Sequence, residues 1–212
     1  MAWLFRTDPL VKEYQRYREA ARALNSKIIN ACLNETILER AARMLRLGQK
    51  RLLFLDSEDD LSVLMDFVLY EIQQGDGKNV VKRYAEENGG ANAIEGELLA
   101  AMVKAQTGLY KVSQILREKR QLVLDNLIIP EASLILTDIG FSLTLADELI
   151  IFFRPIRMTK FTMTSGVAFV FPAELQRELT KRWKLLDSKG DAERFAWFFR
   201  KSKQSGFEVI YV

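Results

Sequence analysis

The sequence of 212 residues contains no histidine and only one cysteine, Cys32. Without histidine the chain cannot form a Ser-His-Asp or Cys-His catalytic relay, nor a histidine-based metal site. A single cysteine excludes a disulfide within the chain and a four-ligand Cys/His zinc site. We therefore expect no metal and no cofactor, and a reducing compartment, the cytoplasm, is the simpler location.

Long hydrophobic runs are also missing. No stretch of about 18 apolar residues occurs, so we expect no membrane span and no membrane partner. The first ten residues, MAWLFRTDPL, lack the basic leader and the apolar core of a signal peptide. Apolar residues make up 49% of the chain and charged residues 28%, proportions that are typical of a soluble globular protein.

Net charge is small, +3 at neutral pH, and it is unevenly distributed. The segment 172–212 holds nine basic and six acidic residues, whereas the rest of the chain is close to neutral. An excess of this size attracts an anionic partner only weakly and is screened by salt. Charge alone therefore does not indicate nucleic acid.

Helical periodicity dominates residues 1–107. Pro9 suits a first helical position after a cap at Thr7 or Asp8, and apolar residues then recur at helical spacing. Ser57 and Asp60 form a second start signal, which predicts a helix from about residue 59 to residue 74. Shorter helices are expected over residues 35–47, 79–87 and 92–106.

After Gly108 the period changes to short alternating runs that are rich in β-branched and aromatic residues. Residues 110–112 and 122–124 indicate a hairpin, and residues 134–136, 149–153, 161–164 and 167–170 continue as strands. Pro155 is expected at a strand end or a bend. Two helices follow, and the final residues FEVIYV read as a strand, with Phe207, Val209 and Tyr211 as candidates for pairing with a partner.

Together these patterns predict an α+β fold. Residues 1–107 form a helical region, residues 108–171 an antiparallel β-meander or small barrel, and residues 172–212 two helices and a terminal strand that pack on the meander.

Two residues stand out chemically in the helical region. Asp66 interrupts an apolar helix face, so it is either a buried carboxyl that needs a partner or a residue on the polar side. Cys32 is either a small buried hydrophobe or a reactive thiol. The acids around Asp60 are explained by a capped helix start rather than by a cation site.

Basic residues of the two C-terminal helices fall at helical spacing. They could bind the phosphates of a nucleic acid while a tryptophan side chain stacks on one of its bases. Alternatively, these residues lie on a solvent-exposed face, and the aliphatic parts of their side chains cover apolar neighbours. Arg157, Lys160 and Arg154 on the meander could extend this patch. The candidate anion-binding or nucleic-acid-binding residues are Arg177, Lys181, Lys184, Arg194, Trp197 and Lys201.

Residues 52–183 resemble a group of uncharacterised bacterial proteins that often carry a C-terminal SEC-C zinc motif. The matching stretches include LMDFVLYE at 64–71, VVKRYAEE at 80–87, SLTLADELIIFFRPI at 142–156 and SGVAFVFP at 165–172. The resemblance implies a helical region followed by a meander, and it implies no activity. The SEC-C zinc motif itself is absent from this chain, because its cysteines and histidines are missing.

Because the sequence contains no recognisable set of catalytic residues, the expected function is that of a non-catalytic, cytoplasmic protein-binding or adaptor module. A protein partner or a homo-oligomer is expected. The alternative is a nucleic-acid-binding protein that uses the meander and the basic helices. A carboxylate-based enzyme ranks lowest, and it predicts a concave pocket lined by Asp66 or other acids with shifted pKa values.

Overall fold

A computed structural model describes residues 8–49 and 52–205 and confirms the α+β class. Its α-helices are α1 Pro9–Cys32, α2 Glu35–Leu45, α3 Glu58–Tyr70, α4 Val80–Asn88, α5 Ala93–Lys104, α6 Ile139–Thr144, α7 Gln176–Leu186 and α8 Asp191–Ser205. Its strands are β1 Gly48–Gln49, β2 Leu52–Leu53, β3 Gly108–Leu116, β4 Gln121–Asn126, β5 Leu134–Thr137, β6 Ile150–Arg157 and β7 Thr162–Phe171.

Side-chain caps fix the starts of the N-terminal helices. The Asp8 carboxylate accepts a hydrogen bond from the Leu10 backbone N–H at 2.8 Å, and Pro9 occupies the first helical position as predicted. Ser57 caps α3, with its hydroxyl accepting from the Asp60 N–H at 3.3 Å. Helix α3 ends at Tyr70, four residues earlier than the sequence pattern indicates.

Five strands close into a small barrel in the order β3-β4-β5-β7-β6. The predicted hairpin is β3–β4, whose turn carries Arg120 in the left-handed region at φ 55°. Every neighbouring pair in the barrel is antiparallel except β5–β7, which is parallel and joined at one register pair, Leu136 with Thr162. Alternating hydrophobicity does not reveal which strands meet at this closing edge.

The structure differs from the expected strands in some places and adds elements that the sequence did not predict. The expected strands at residues 161–164 and 167–170 merge into one strand, β7, which begins at Thr162. Pro155 lies inside β6 at a bulge, which accommodates its missing N–H. The six-residue helix α6 follows β5, and β2 pairs with β1 in a two-stranded hairpin; neither feature was expected.

Alternate residues of β6 and β7 face two different cores. Ile151, Phe153 and Val170 fill the barrel interior, whereas Phe152 and Phe169 face the helices. On the helical side Phe152 stacks on Phe198 of α8, with ring centroids 4.3 Å apart, and contacts Trp183 of α7 at 5.9 Å. The outer wall of the barrel is therefore also the floor of the helical core.

The expected terminal strand, with Phe207, Val209 and Tyr211, lies outside the described residues, so its pairing stays a prediction. Within residues 8–49 and 52–205, none of the helices has the length and apolar character that crossing a bilayer requires.

We predict that Phe152→Ala lowers the free energy of unfolding by about 3–5 kcal/mol, because it leaves a cavity where the barrel and α8 meet. Leu185→Ala on α7 is the control, since Leu185 is 58% exposed and its loss changes stability by no more than about 0.5 kcal/mol. Urea denaturation of both variants measures the difference. Equal losses of stability in the two variants would contradict a core that the barrel and the helices share.

Candidate functional site

An open groove with a volume of about 1230 Å³ lies on the helical side of the molecule. Helix α1 forms one wall, α3 forms the other, residues 165–170 of β7 form the floor, and α8 closes one end through Ser202 and Lys203. Apolar lining comes from Ile29, Met65 and Leu69, among others. The groove therefore lies where the helices meet the outer face of the barrel.

Behind the floor of this groove lies a buried ion-pair network centred on Arg154 of β6. Its Nη2 donates to Glu71 Oε1 in a short contact, and its Nη1 donates to the Ala105 carbonyl at 3.4 Å. The guanidinium lies over the Tyr70 ring at 4.1 Å from the centroid, a cation–π contact. Asp66 Oδ2 is 3.9 Å from the same Nη2.

The network holds two carboxyls and one cation away from water. Burial raises the pKa of Asp66 and that of Glu71, and the nearby Arg154 offsets this only in part. Burial by itself would lower the pKa of Arg154, but Glu71 and Asp66 outweigh it and raise that pKa above its ordinary value. Arg154 therefore stays charged and is paired with Glu71, and Asp66 is left as the surplus carboxyl.

Three buried polar atoms along the groove have no hydrogen-bond partner among the described residues: Asn25 Oδ1, Asp66 Oδ2 and Ser165 Oγ. Ser165 lies near enough to lower the pKa of Asp66, yet the two side chains do not reach hydrogen-bonding geometry. Asn25 and Ser165 also line a narrow slot of about 10 Å³ behind the groove, which ends against Tyr70. Asn25 and Ser165 therefore line both the groove and the slot, whereas Asp66 lines the groove alone.

Charged residues at the rim are largely committed to partners. Lys203 Nζ donates to Asp60 Oδ2 at 2.7 Å and to Asp56 Oδ2 at 3.1 Å, which ties α8 to the start of α3. Arg18 Nη1 donates to the Thr164 carbonyl at 2.8 Å, which joins α1 to β7. The acids around Asp60 therefore cap and brace a helix, in agreement with the sequence interpretation.

The candidate anion-binding residues do not form one open surface. Arg194 is 6% exposed, and its two terminal nitrogens each donate at 2.8 Å, one to Asp187 and one to Asp191. Lys201 pairs with Glu178 at 2.7 Å, and Trp197 is half-buried beneath Arg182. The remaining candidates, Arg177, Lys181 and Lys184, are exposed along α7.

Other sequence-based expectations can be placed in the same way. Arg154 does not extend a basic patch, because its side chain is buried in the network described above, whereas Arg157 and Lys160 are exposed. Cys32 is half-buried, and burial raises the pKa of its thiol, which disfavours the reactive thiolate. Among the residues described, no group of three or more Cys, Asp or Glu side chains could hold a metal ion.

Sequence reasoning missed Asn25 and Ser165, which carry no distinguishing pattern. It did identify Asp66, and the signal was a carboxyl within an apolar helix face. The concave pocket that a carboxylate-based enzyme requires is present, with Asp66 in its lining.

We predict that Arg154→Met lowers the free energy of unfolding by about 3–5 kcal/mol, because two buried carboxyls lose their cation. The loss is larger at pH 8 than at pH 5. A carboxyl whose pKa is raised by folding favours the folded state while protonated, and this contribution disappears as pH rises through the raised pKa.

Arg157→Met on the same strand is the matched control, since its side chain is 56% exposed and its ion pair with Glu131 spans 3.7 Å. Denaturant titrations of both variants at the two pH values decide the matter. A loss in Arg154→Met that is independent of pH would contradict the assigned charges.

Comparisons with known proteins give a family and nothing closer. Neither the curated proteins nor the solved structures contain a match to this chain. One family model matches residues 8–212, nearly the whole chain, and its description is a family of unknown function, DUF7986. This match does not test the resemblance to proteins with a SEC-C motif, which stays a prediction. The chain belongs to the DUF7986 family.

Proposed function

We propose that this protein is a non-catalytic, cytoplasmic protein-binding or adaptor module that holds an extended segment of a partner protein in the groove. The observation that carries the proposal is the groove itself, whose volume of about 1230 Å³ exceeds the 300–1,000 Å³ that is typical of small-molecule pockets. It is open to solvent and combines apolar with polar lining residues. These are the properties of a surface that takes a chain segment.

Exposed apolar residues next to the groove support the same proposal. Leu52 is 63% exposed and Phe54 58%, and they lie just before Asp56, which lines the groove. Leu61 lines the groove and is itself 44% exposed. A partner segment that leaves the groove past Leu61 would therefore cover further apolar surface.

A photo-crosslinking amino acid at Ser26, an exposed residue of the α1 wall, tests this function in cells. We expect an adduct with a specific partner, mapped by mass spectrometry to one segment of that partner. The same amino acid at Leu185 of α7 is the control, because it is exposed outside the groove.

The proposal fails if the Ser26 and Leu185 probes give the same adducts, or if the Ser26 probe gives none in a folded protein. An adduct with residues 206–212 of the same chain would also contradict it, because the groove would then hold this chain's own end.

Nucleic-acid binding is the second candidate, and one observation favours it. Arg177, Lys181 and Lys184 are exposed on one face of α7, and within the described part of the chain none of them forms an ion pair. This alternative predicts that a labelled oligonucleotide binds at low salt and that replacing all three with Gln weakens binding and its salt dependence. If fluorescence anisotropy shows no binding of the oligonucleotide at low salt, nucleic-acid binding is excluded.

An enzyme based on carboxylates is less well supported. General acid-base chemistry usually needs two groups with separate roles. Among the carboxyls in or behind the groove, Glu71 is paired with Arg154, Asp56 and Asp60 are paired with Lys203, and Asp59 is exposed to solvent. Asp66 is thus left without an evident second group, although it satisfies the expectation of a shifted pKa in a concave site.

A further inference from the structure

Most of the charged side chains that line the groove are already engaged within the protein. Lys203 is paired with Asp56 and Asp60 at the end that α8 closes. Arg18 donates to a backbone carbonyl of β7, and the carboxyl of Asp66 is buried. These residues therefore hold the walls together and offer little charge to a partner that arrives from solvent.

The charges that remain available lie on opposite walls of the groove. Arg22 of α1 and Asp59 of α3 both line it, and both are exposed. Neither side chain forms an ion pair or a hydrogen bond with any residue that the structure describes. The wall of α1 thus presents a free positive charge to the groove, and the wall of α3 presents a free negative charge.

Apolar lining flanks both charges, so a segment that fills the groove changes their surroundings. Ile29 follows Arg22 by seven residues, on the same face of α1, and Leu61 and Met65 lie on the wall that carries Asp59. A chain that covers these apolar side chains also excludes water from the neighbouring charges, which reduces their screening. Ion pairs formed there determine the specificity and register of binding more than its overall affinity.

The two walls reject segments that carry charge of one sign only. An acidic segment is repelled by Asp59, and a basic segment is repelled by Arg22. A polyanion such as nucleic acid is excluded from the groove on the same ground. A segment with one charge of each sign avoids both repulsions and gains an ion pair at each wall.

We infer that the groove selects a partner segment that carries an acidic and a basic side chain, the acid binding Arg22 and the base binding Asp59. This inference rests on the proposed function and names the charge pattern of the segment that the groove holds.

The test selects peptides on the full chain. The probe is a display library of random peptides, and selected peptides are synthesised and titrated into protein labelled at its methionine methyl groups. Met65 lines the groove and reports binding there by NMR, whereas Met44 lies outside the groove and is the reference. We expect peptides that shift the Met65 signal to share an acid at one position and a base at another.

Reversing one charge at a time assigns each position to a wall. Selection on Arg22→Glu should place a base where the acid was, and selection on Asp59→Lys should place an acid where the base was. The matched controls are Arg16→Glu on α1 and Glu58→Lys beside Asp59, since both side chains are exposed and neither lines the groove. The two controls should leave the selected pattern unchanged. Because all four side chains are exposed, we expect every variant to stay folded, which thermal denaturation checks.

Affinity gives a second measurement with the same peptides. A peptide selected on the original chain should bind Arg22→Glu about fivefold more weakly or worse, because attraction becomes repulsion. Lysine in place of the peptide's acid should restore binding to this variant, and added salt should reduce both effects.

Groove-binding peptides without the charge pattern would overturn the inference, as would a pattern that Arg22→Glu and Asp59→Lys leave unchanged. In either case the groove still holds a segment, so the proposed function stands. A library that yields no groove-binding peptide would also overturn the inference. The Ser26 crosslink then decides separately: an adduct with a partner keeps the proposed function, whereas no adduct, or one with this chain's own end, means that both fail.

Discussion

The guanidinium of Arg154 is the interaction on which the joining of barrel and helices depends. It reaches from β6 to Tyr70 at the end of α3, to Glu71 directly after that helix, and to the carbonyl of Ala105, directly after α5. A buried cation is tolerated only when its partners are in place, so β6, α3 and the end of α5 must take their positions together. Apolar packing such as that of Phe152 on Phe198 is non-directional by comparison, and the ion pairs therefore fix the register of the helical layer against the barrel.

The same network explains why the α3 wall of the groove carries a carboxyl without its own cation. Two carboxyls share one cation, and the closer of them, Glu71, takes it. A structure optimised for stability alone would replace Asp66 with an apolar residue, because removing a buried ionisable group often stabilises a fold. Asp66 instead lines an open groove beside two further unpartnered atoms, at Asn25 and Ser165. Polar groups that lower stability but are kept at a concave surface are typical of a binding site.

Much of the fold is predictable from the sequence, because caps and periodicity act locally. Asp8 and Ser57 mark helix starts through their side-chain oxygens, and the hairpin β3–β4 follows from alternation. Arg154 could not be placed, because nearly every residue of β6 is buried and alternation loses its polar signal. The parallel edge β5–β7 and the groove depend on contacts between residues distant in sequence. Asp66 was detectable because an acid within an apolar face is a local conflict, whereas Asn25 and Ser165 resemble ordinary surface residues.

The basic excess of the C-terminal segment shows why charge counts predict partners poorly. Arg194 holds Asp187 and Asp191, Lys203 holds Asp56 and Asp60, and Lys201 holds Glu178, so much of the excess is used to fasten α7 and α8. The exposed charges that remain on α7, those of Arg177, Lys181 and Lys184, are screened by salt and select a partner only weakly. A buried carboxyl such as Asp66 is screened much less, and an unsuitable group placed beside it leaves polar atoms unpaired at full cost. Under the proposed function, selectivity should therefore depend more on Asp66 in the groove than on the several bases of the outer helices.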